Sequence, residues 1–216
     1  MTMTPGVRKF ALTAHVTSSV GWLGAIGGFL ALAVAGLASS DAQVVRGSYL
    51  AMNLTGWYVI VPLSLASFFT GLVQSLGTTW GLFRHYWVVA KLTITIFATV
   101  LLLLHMQVAS RMAGVVADTT LAVGDFRGLR IQLMGDAIAA IVVLLVATAL
   151  SVFKPQGLTP YGRKHDEQGG DVEAGHDRGT TTSTPRWVKA FGVIVVALMA
   201  LVLIKHLIGG GLGHHH

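Results

Sequence analysis

Cysteine is absent from the 216-residue chain, which excludes disulfides, iron–sulfur ligation and thiol nucleophiles and leaves histidine to carry any metal chemistry. Charge is scarce: Asp, Glu, Lys and Arg make up 11% of the residues, against about a quarter in an ordinary soluble domain, while 53% are hydrophobic. Acids are the scarcer sign, 9 against 15 Lys and Arg. Proline occurs five times, and only Pro62 falls inside an apolar run. No G-x-S-x-G, P-loop or H-E-x-x-H motif is present, so the common hydrolase, nucleotide-binding and zinc-protease signatures are excluded. The basic residues are dispersed over segment ends, which excludes a nucleic-acid surface despite the net charge of +6.

What remains is a series of long apolar runs. A bilayer core of about 30 Å needs about 20 such residues in a helix. The runs from about Phe10 to Leu37, Ser48 to Leu76, Arg84 to Arg111 and Leu129 to Phe153 each meet that length. The first is too long for a signal-peptide core and is read as a retained helix. Pro62 predicts a kink in the second. Residues 38–47, 77–83 and 113–130 read as connections. The expected fold is therefore all-α: a polytopic integral membrane four-helix bundle over residues 1–155. Residues 156–185, rich in Gly, Thr, Asp and Glu, read as a flexible cytoplasmic linker. Residues 186–216 contain a fifth transmembrane helix, Trp187 to Ile208, and a GGGLGHHH tail set aside as a possible tag. Excluding Lys91, nine Lys and Arg lie on the amino-terminal side of the spans and five on the other, which predicts a cytoplasmic amino terminus in a bacterial inner membrane.

The third run carries two ionisable residues, Lys91 and His105. Arg84, Trp87, Lys91, Thr95, Ala98, Leu102 and His105 fall on one helical stripe, which must face protein because ionisable groups are costly in lipid. In the first run His15, Ser18, Ser19, Trp22, Ile26 and Phe29 share a face, and Gly21, Gly24 and Gly28 the opposite one. The Gly24-x-x-x-Gly28 face suits close helix approach, including a homo-oligomer contact. The second run lines up Asn53, Trp57, Ser64, Ser67, Gly71 and Gln74, and the fourth Gln132, Asp136, Ala139 and Val143. Counting depth at helical rise sorts the polar groups into two layers. The inner layer holds His15 and Lys91; the outer holds His105, Asp136, Gln132 and Asn53, with Asp136 expected to pair with His105. Each has a structural alternative: His15 and Lys91 as snorkelling groups, and His105 with Asp136 as a clasp. His85 reads as a membrane-edge residue, His165 and His176 as solvated linker residues.

The patterns His15-x6-Trp22-x-Gly24 and Trp87-x3-Lys91-Leu92-x12-His105 resemble the small membrane protoporphyrinogen oxidases of the HemJ type and their four-helix bacterial relatives. The resemblance covers the first and third runs. It implies haem b as cofactor with His15 as the metal ligand and Lys91 as the residue required for activity; Trp22, on the His15 face, and Arg84, a cation available to the propionates, are the further residues expected beside the cofactor. The segment after Trp22, GAIGGFLALAVAGL, departs from that family's Pro-Arg-Leu and aromatic-His stretch, so the resemblance extends to fold and haem and not to the oxidase reaction. A b-type haem needs neutral nitrogen ligands at matching depth, an apolar slot and cations for its propionates. His15 and His105 are separated by about 21 Å of helical rise and do not flank one iron.

Three functions are therefore weighed. One is a haem-binding membrane protein acting in redox or haem-related chemistry. The second is a small proton-coupled transporter or channel using His15, Lys91, His105 and Asp136 as a relay. The third is an accessory membrane subunit. Lipid, and haem or porphyrin, are the expected partners.

Overall fold

The computed structural model describes residues 3–77, 85–117, 127–153 and Thr159. These form four long helices, with no β-strand among the described residues: α1 Pro5–Ala38, α2 Ala42–Gly77, α3 Tyr86–Ala117 and α4 Arg127–Phe153. Each is long and apolar enough to cross a membrane. The expected fifth helix, the linker at 156–185 apart from Thr159, and Arg84 lie outside the described residues.

Local chemistry sets the helix ends. Pro5 opens α1 at the first turn, where its missing N–H has no helical partner to lose. Asp41 caps α2 by accepting from the Gln43 backbone N–H at 2.8 Å, which starts that helix at Ala42, inside the expected loop. The α3 helix runs beyond Arg111 because Met112, Ala113 and Val116 prolong its buried stripe, and α4 begins at Arg127, two residues before the apolar run. Around Pro62, α2 stays helical but widens into a π turn at Gly56–Ile60, where the Val61 N–H donates to the Gly56 carbonyl. Proline cannot donate to the carbonyl four residues back and its ring crowds it, so a wider turn just upstream is the local solution.

The helices form a closed ring in which α1 touches α2, α2 touches α3, α3 touches α4, and α4 returns to α1, with α1 and α3 diagonal to each other. Trp22, Ile26, Phe29, Tyr49, Met52, Met106 and Leu133 fill the shared interior. The outward faces are apolar, including Phe10, Val20, Tyr58, Phe69, Val142 and Phe153. At the far end of the bundle, where α1 finishes and α2 starts, two arginines cap neighbouring helices. Arg130 donates from Nε to Tyr49 Oη at 3.1 Å and from its guanidinium to the Gly36 carbonyl near the end of α1. Arg46 donates to the Ala117 carbonyl, the last of α3, at 3.0 Å. Cations here meet the negative ends of the helix dipoles.

Two close approaches require glycine. A Cβ on Gly36 would stand 2.8 Å from the Tyr49 ring, and one on Gly56 would overlap Met106. By contrast, a Cβ on Gly24 or Gly28 would meet nothing within 4 Å among the described residues, whereas one on Gly21 would stand 3.4 Å from the Leu63 side chain of α2, so the glycine face of α1 is open there only at Gly24 and Gly28. Gly56→Val should destabilise the bundle by about 1–3 kcal/mol through overpacking against Met106, whereas Gly114→Ala, at an open helical position, should be neutral or slightly stabilising. Reversible unfolding in mixed detergent micelles measures both; equal effects would contradict the packing.

Candidate functional site

Near the end where the chain begins, α1, α2 and α3 converge on His15. The ring Nδ1 lies 3.0 Å from the Ser67 carbonyl and 3.2 Å from Thr70 Oγ1. Thr70 gives its own hydroxyl proton to the Ala66 carbonyl at 2.6 Å, so toward His15 its oxygen is an acceptor. Both neighbours accept; the Nδ1 atom therefore carries the proton. On the other side of the ring, Lys91 Nζ stands 3.2 Å from Nε2. With the proton on Nδ1, Nε2 of the neutral ring offers a lone pair, and the lysine donates to it. The pattern assigns one tautomer, with the lone pair directed into the bundle.

Several small contacts make that approach possible. Gly71 leaves room for the imidazole, since a Cβ there would stand 3.0 Å from His15 Cε1. Ser19 and Ser67 hydroxyls share a hydrogen bond of 2.7 Å, and Gln74 donates to the Ala11 carbonyl at 2.8 Å, zipping α1 to α2 on either side of the ring. Lys91 reaches from the diagonal helix, and the backbone of α3 behind it carries Thr95 and Thr99, whose hydroxyls donate to the Lys91 and Thr95 carbonyls. Beside this layer Ile94, Ala147 and Leu150 form a small apolar cluster separate from the main core. The acids among the described residues are Asp41 and Asp136, both toward the far end, so no described carboxylate lies in the near-end layer.

The second layer lies deeper. His105 Nδ1 and Asp136 Oδ2 are 3.0 Å apart across α3 and α4, and the Phe29 ring meets the imidazole edge-on at a centroid distance of 5.9 Å. His105 Nε2 is buried and has no hydrogen-bond partner among the described residues, and the same holds for Trp22 Nε1.

The sequence pattern thus brings together His15 with Lys91 and His105 with Asp136. It does not bring Asn53 to the second pair. Asn53 Oδ1 instead accepts from Ser110 Oγ at 2.9 Å, and Ser110 in turn accepts from Trp57 Nε1 at 3.1 Å. Gln132, one turn before Asp136, is half-buried and hydrogen-bonds to neither member of the pair among the described residues. Trp22 is buried on the His15 face, one and a half to two turns farther in. Sequence reasoning placed Ser67 and Gly71 on the right stripe of α2 but missed their service to His15, because one acts through a backbone carbonyl and the other through an absent side chain. Thr70 and Ser110 carried no signal beyond a hydroxyl at helical spacing.

As a metal site the arrangement is minimal: no group of three or more His, Cys, Asp or Glu side chains converges among the described residues. Haem needs at least one protein nitrogen, and a histidine whose Nδ1–H is held by a backbone carbonyl has the fixed tautomer and ring orientation that metal-ligating histidines share. Lys91 occupies the approach to Nε2 and its long side chain would have to turn aside. Lys91→Met should destabilise the bundle by about 1–3 kcal/mol, because it removes the donor facing a buried ring nitrogen, whereas Ser67→Ala should cost about 1 kcal/mol or less, since the acceptor of Nδ1–H is a main-chain atom that survives. Unfolding midpoints in mixed micelles compare the two; a larger effect for Ser67→Ala would contradict the assigned hydrogen bonds. No family model, no curated protein and no solved structure matches this chain.

Proposed function

We propose that this chain is a multi-pass bacterial inner-membrane protein that binds haem b in the near-end layer of its four-helix bundle and acts in redox or haem-related chemistry. One observation carries the reading: His15 is held as a neutral imidazole with Nδ1–H on a main-chain carbonyl, and its Nε2 lone pair faces α3, where Lys91 meets it. His15 would be the iron ligand. Lys91, freed from Nε2, would pair with a propionate. The sequence resemblance makes Lys91 the residue required for activity, while Trp22, on the His15 face, and Arg84, a cation at the span edge, complete the cofactor's expected surroundings. Haem, when bound, supplies one-electron chemistry; His15 orients and Lys91 neutralises.

Membrane insertion is supported by the four long apolar helices and their apolar outer faces, which lipid would cover. The open Gly24–Gly28 face leaves room for a second copy of the chain. The excess of Lys and Arg on the amino-terminal side favours a cytoplasmic amino terminus.

Two measurements test this. Protein purified in detergent from haem-replete cells should show a Soret band that His15→Ala abolishes and His105→Ala leaves in place; colourless wild-type protein would overturn the haem reading. Because the chain has no cysteine, a single Ser40→Cys reports topology cleanly. A membrane-impermeant maleimide should label it from outside intact spheroplasts, and labelling only after lysis would reverse the orientation.

A further inference from the structure

Gln107 is a polar side chain that the single chain leaves stranded on an apolar surface. Asn53 accepts from Ser110 and Gln74 donates to the Ala11 carbonyl, while Thr95, Thr99 and Thr148 return their hydroxyl protons to carbonyls of their own helices. Gln107 lies exposed on the outer face of α3, with no hydrogen bond to any described residue. A carboxamide carries two N–H donors as well as an acceptor, and the carbonyls of its own helix cannot satisfy all three.

Its depth makes that costly. The α3 helix has 32 residues, about 48 Å at helical rise, so a centred core of about 30 Å leaves about 9 Å of helix outside at either end. Gln107 stands ten residues before Ala117, about 15 Å from that end and about 6 Å inside the core. Helical side chains lean toward the amino terminus of their helix. For α3 that is the near end, so the Gln107 amide leans toward the bilayer middle. Gln132, on the antiparallel α4, leans the other way, toward the far surface.

Along the same face Ile96, Val100, Leu103, Gln107 and Gly114 are all exposed, at spacings of 4, 3, 4 and 7 residues. That is the a and d line of a helix pair, with Gln107 at an a position, where a single polar residue sets register and oligomeric state. Arg111 falls to one side of the line, at an e position, one turn farther toward the far surface. Two copies inserted in one orientation are related by a two-fold axis along the membrane normal, so a residue at the axis meets itself at equal depth. Such self-contact repels for an ion. For a carboxamide it is complementary, each amide donating to the other's oxygen.

We propose that this face of α3 is a homodimer interface in which Gln107 hydrogen-bonds to the same residue of a second copy. Other covers leave the amide unsatisfied: acyl chains offer it nothing, and the fifth apolar run has no polar residue between Ala190 and Ile204. Gly24 and Gly28, on the diagonal helix α1, are apolar positions that lipid covers without stranding a polar atom. The inference rests on the membrane reading above and is independent of haem.

Because the chain has no cysteine, single substitutions report the face directly. Gly114→Cys, at an open and exposed position one heptad beyond Gln107, carries its thiol outside the core. Ala38→Cys is the counterpart on the outer face of α1, two heptads beyond Gly24. Carbonate-washed membranes, which retain only inserted chains, are oxidised with copper phenanthroline, and the disulfide-linked dimer is read on non-reducing gels. Gly114→Cys should cross-link at least about fivefold faster than Ala38→Cys, and adding Gln107→Leu should slow it by at least about fivefold. Gln107→Asn, which keeps the amide, should slow it by less than about twofold. Both substitutions sit on an exposed face and leave the interior untouched. Faster cross-linking through Ala38→Cys would place the second copy on the glycine face and overturn the proposal, as would an unchanged rate in Gln107→Leu. Loss of the chain from the washed membranes would overturn the membrane reading and the proposal with it.

Discussion

One imidazole ties three helices together. His15 donates from Nδ1 to the main chain of α2 and accepts at Nε2 from a lysine on α3, while its own backbone belongs to α1. In an apolar bundle each of those polar atoms would be costly alone, and together they satisfy one another. That requirement fixes the register of α1 on α2 and of α1 on α3 at the same point. The rest of the near end follows from it: glycine at position 71 to admit the ring, and hydroxyls at Ser19 and Ser67 to zip the flanks.

The second polar layer obeys the same rule with a different outcome. His105 and Asp136 pair across α3 and α4, but one ring nitrogen and the Trp22 indole are left facing the interior. At the far end, arginines from α2 and α4 close carbonyls at the ends of α3 and α1. The bundle therefore grades from a tightly capped end, through a partly unsatisfied middle, to a near-end layer built around one cation and one neutral ring.

Much of this was legible in the sequence. Apolar run length located the four helices, and helical periodicity with depth counting separated His15 and Lys91 from His105 and Asp136. What stayed hidden acts through groups the sequence does not display. Ser67 and Gly36 contribute carbonyls, Gly71 and Gly56 contribute empty space, and the reach of Lys91 across a diagonal follows only from the ring order of helices. Asn53 shows how depth alone misleads. It lies near the depth of His105, yet the α2 side of α3 presents Ser110, five residues and about 140° around the helix from His105, and takes that bond instead. The helix ends moved for similarly local reasons, the Asp41 cap at one and the prolonged buried stripe of α3 at another.

The state of the His15 ring is the point on which the account turns, because both the Lys91 contact and any iron bond use the same nitrogen. Nitrogen-15 NMR of protein labelled at histidine, with His15→Gln to assign the signal, reads that state directly. The account predicts a neutral His15 protonated at Nδ1, with an unprotonated Nε2 signal that shifts in Lys91→Met. A proton found on Nε2 would contradict it, since that nitrogen could then neither accept from Lys91 nor bind a metal.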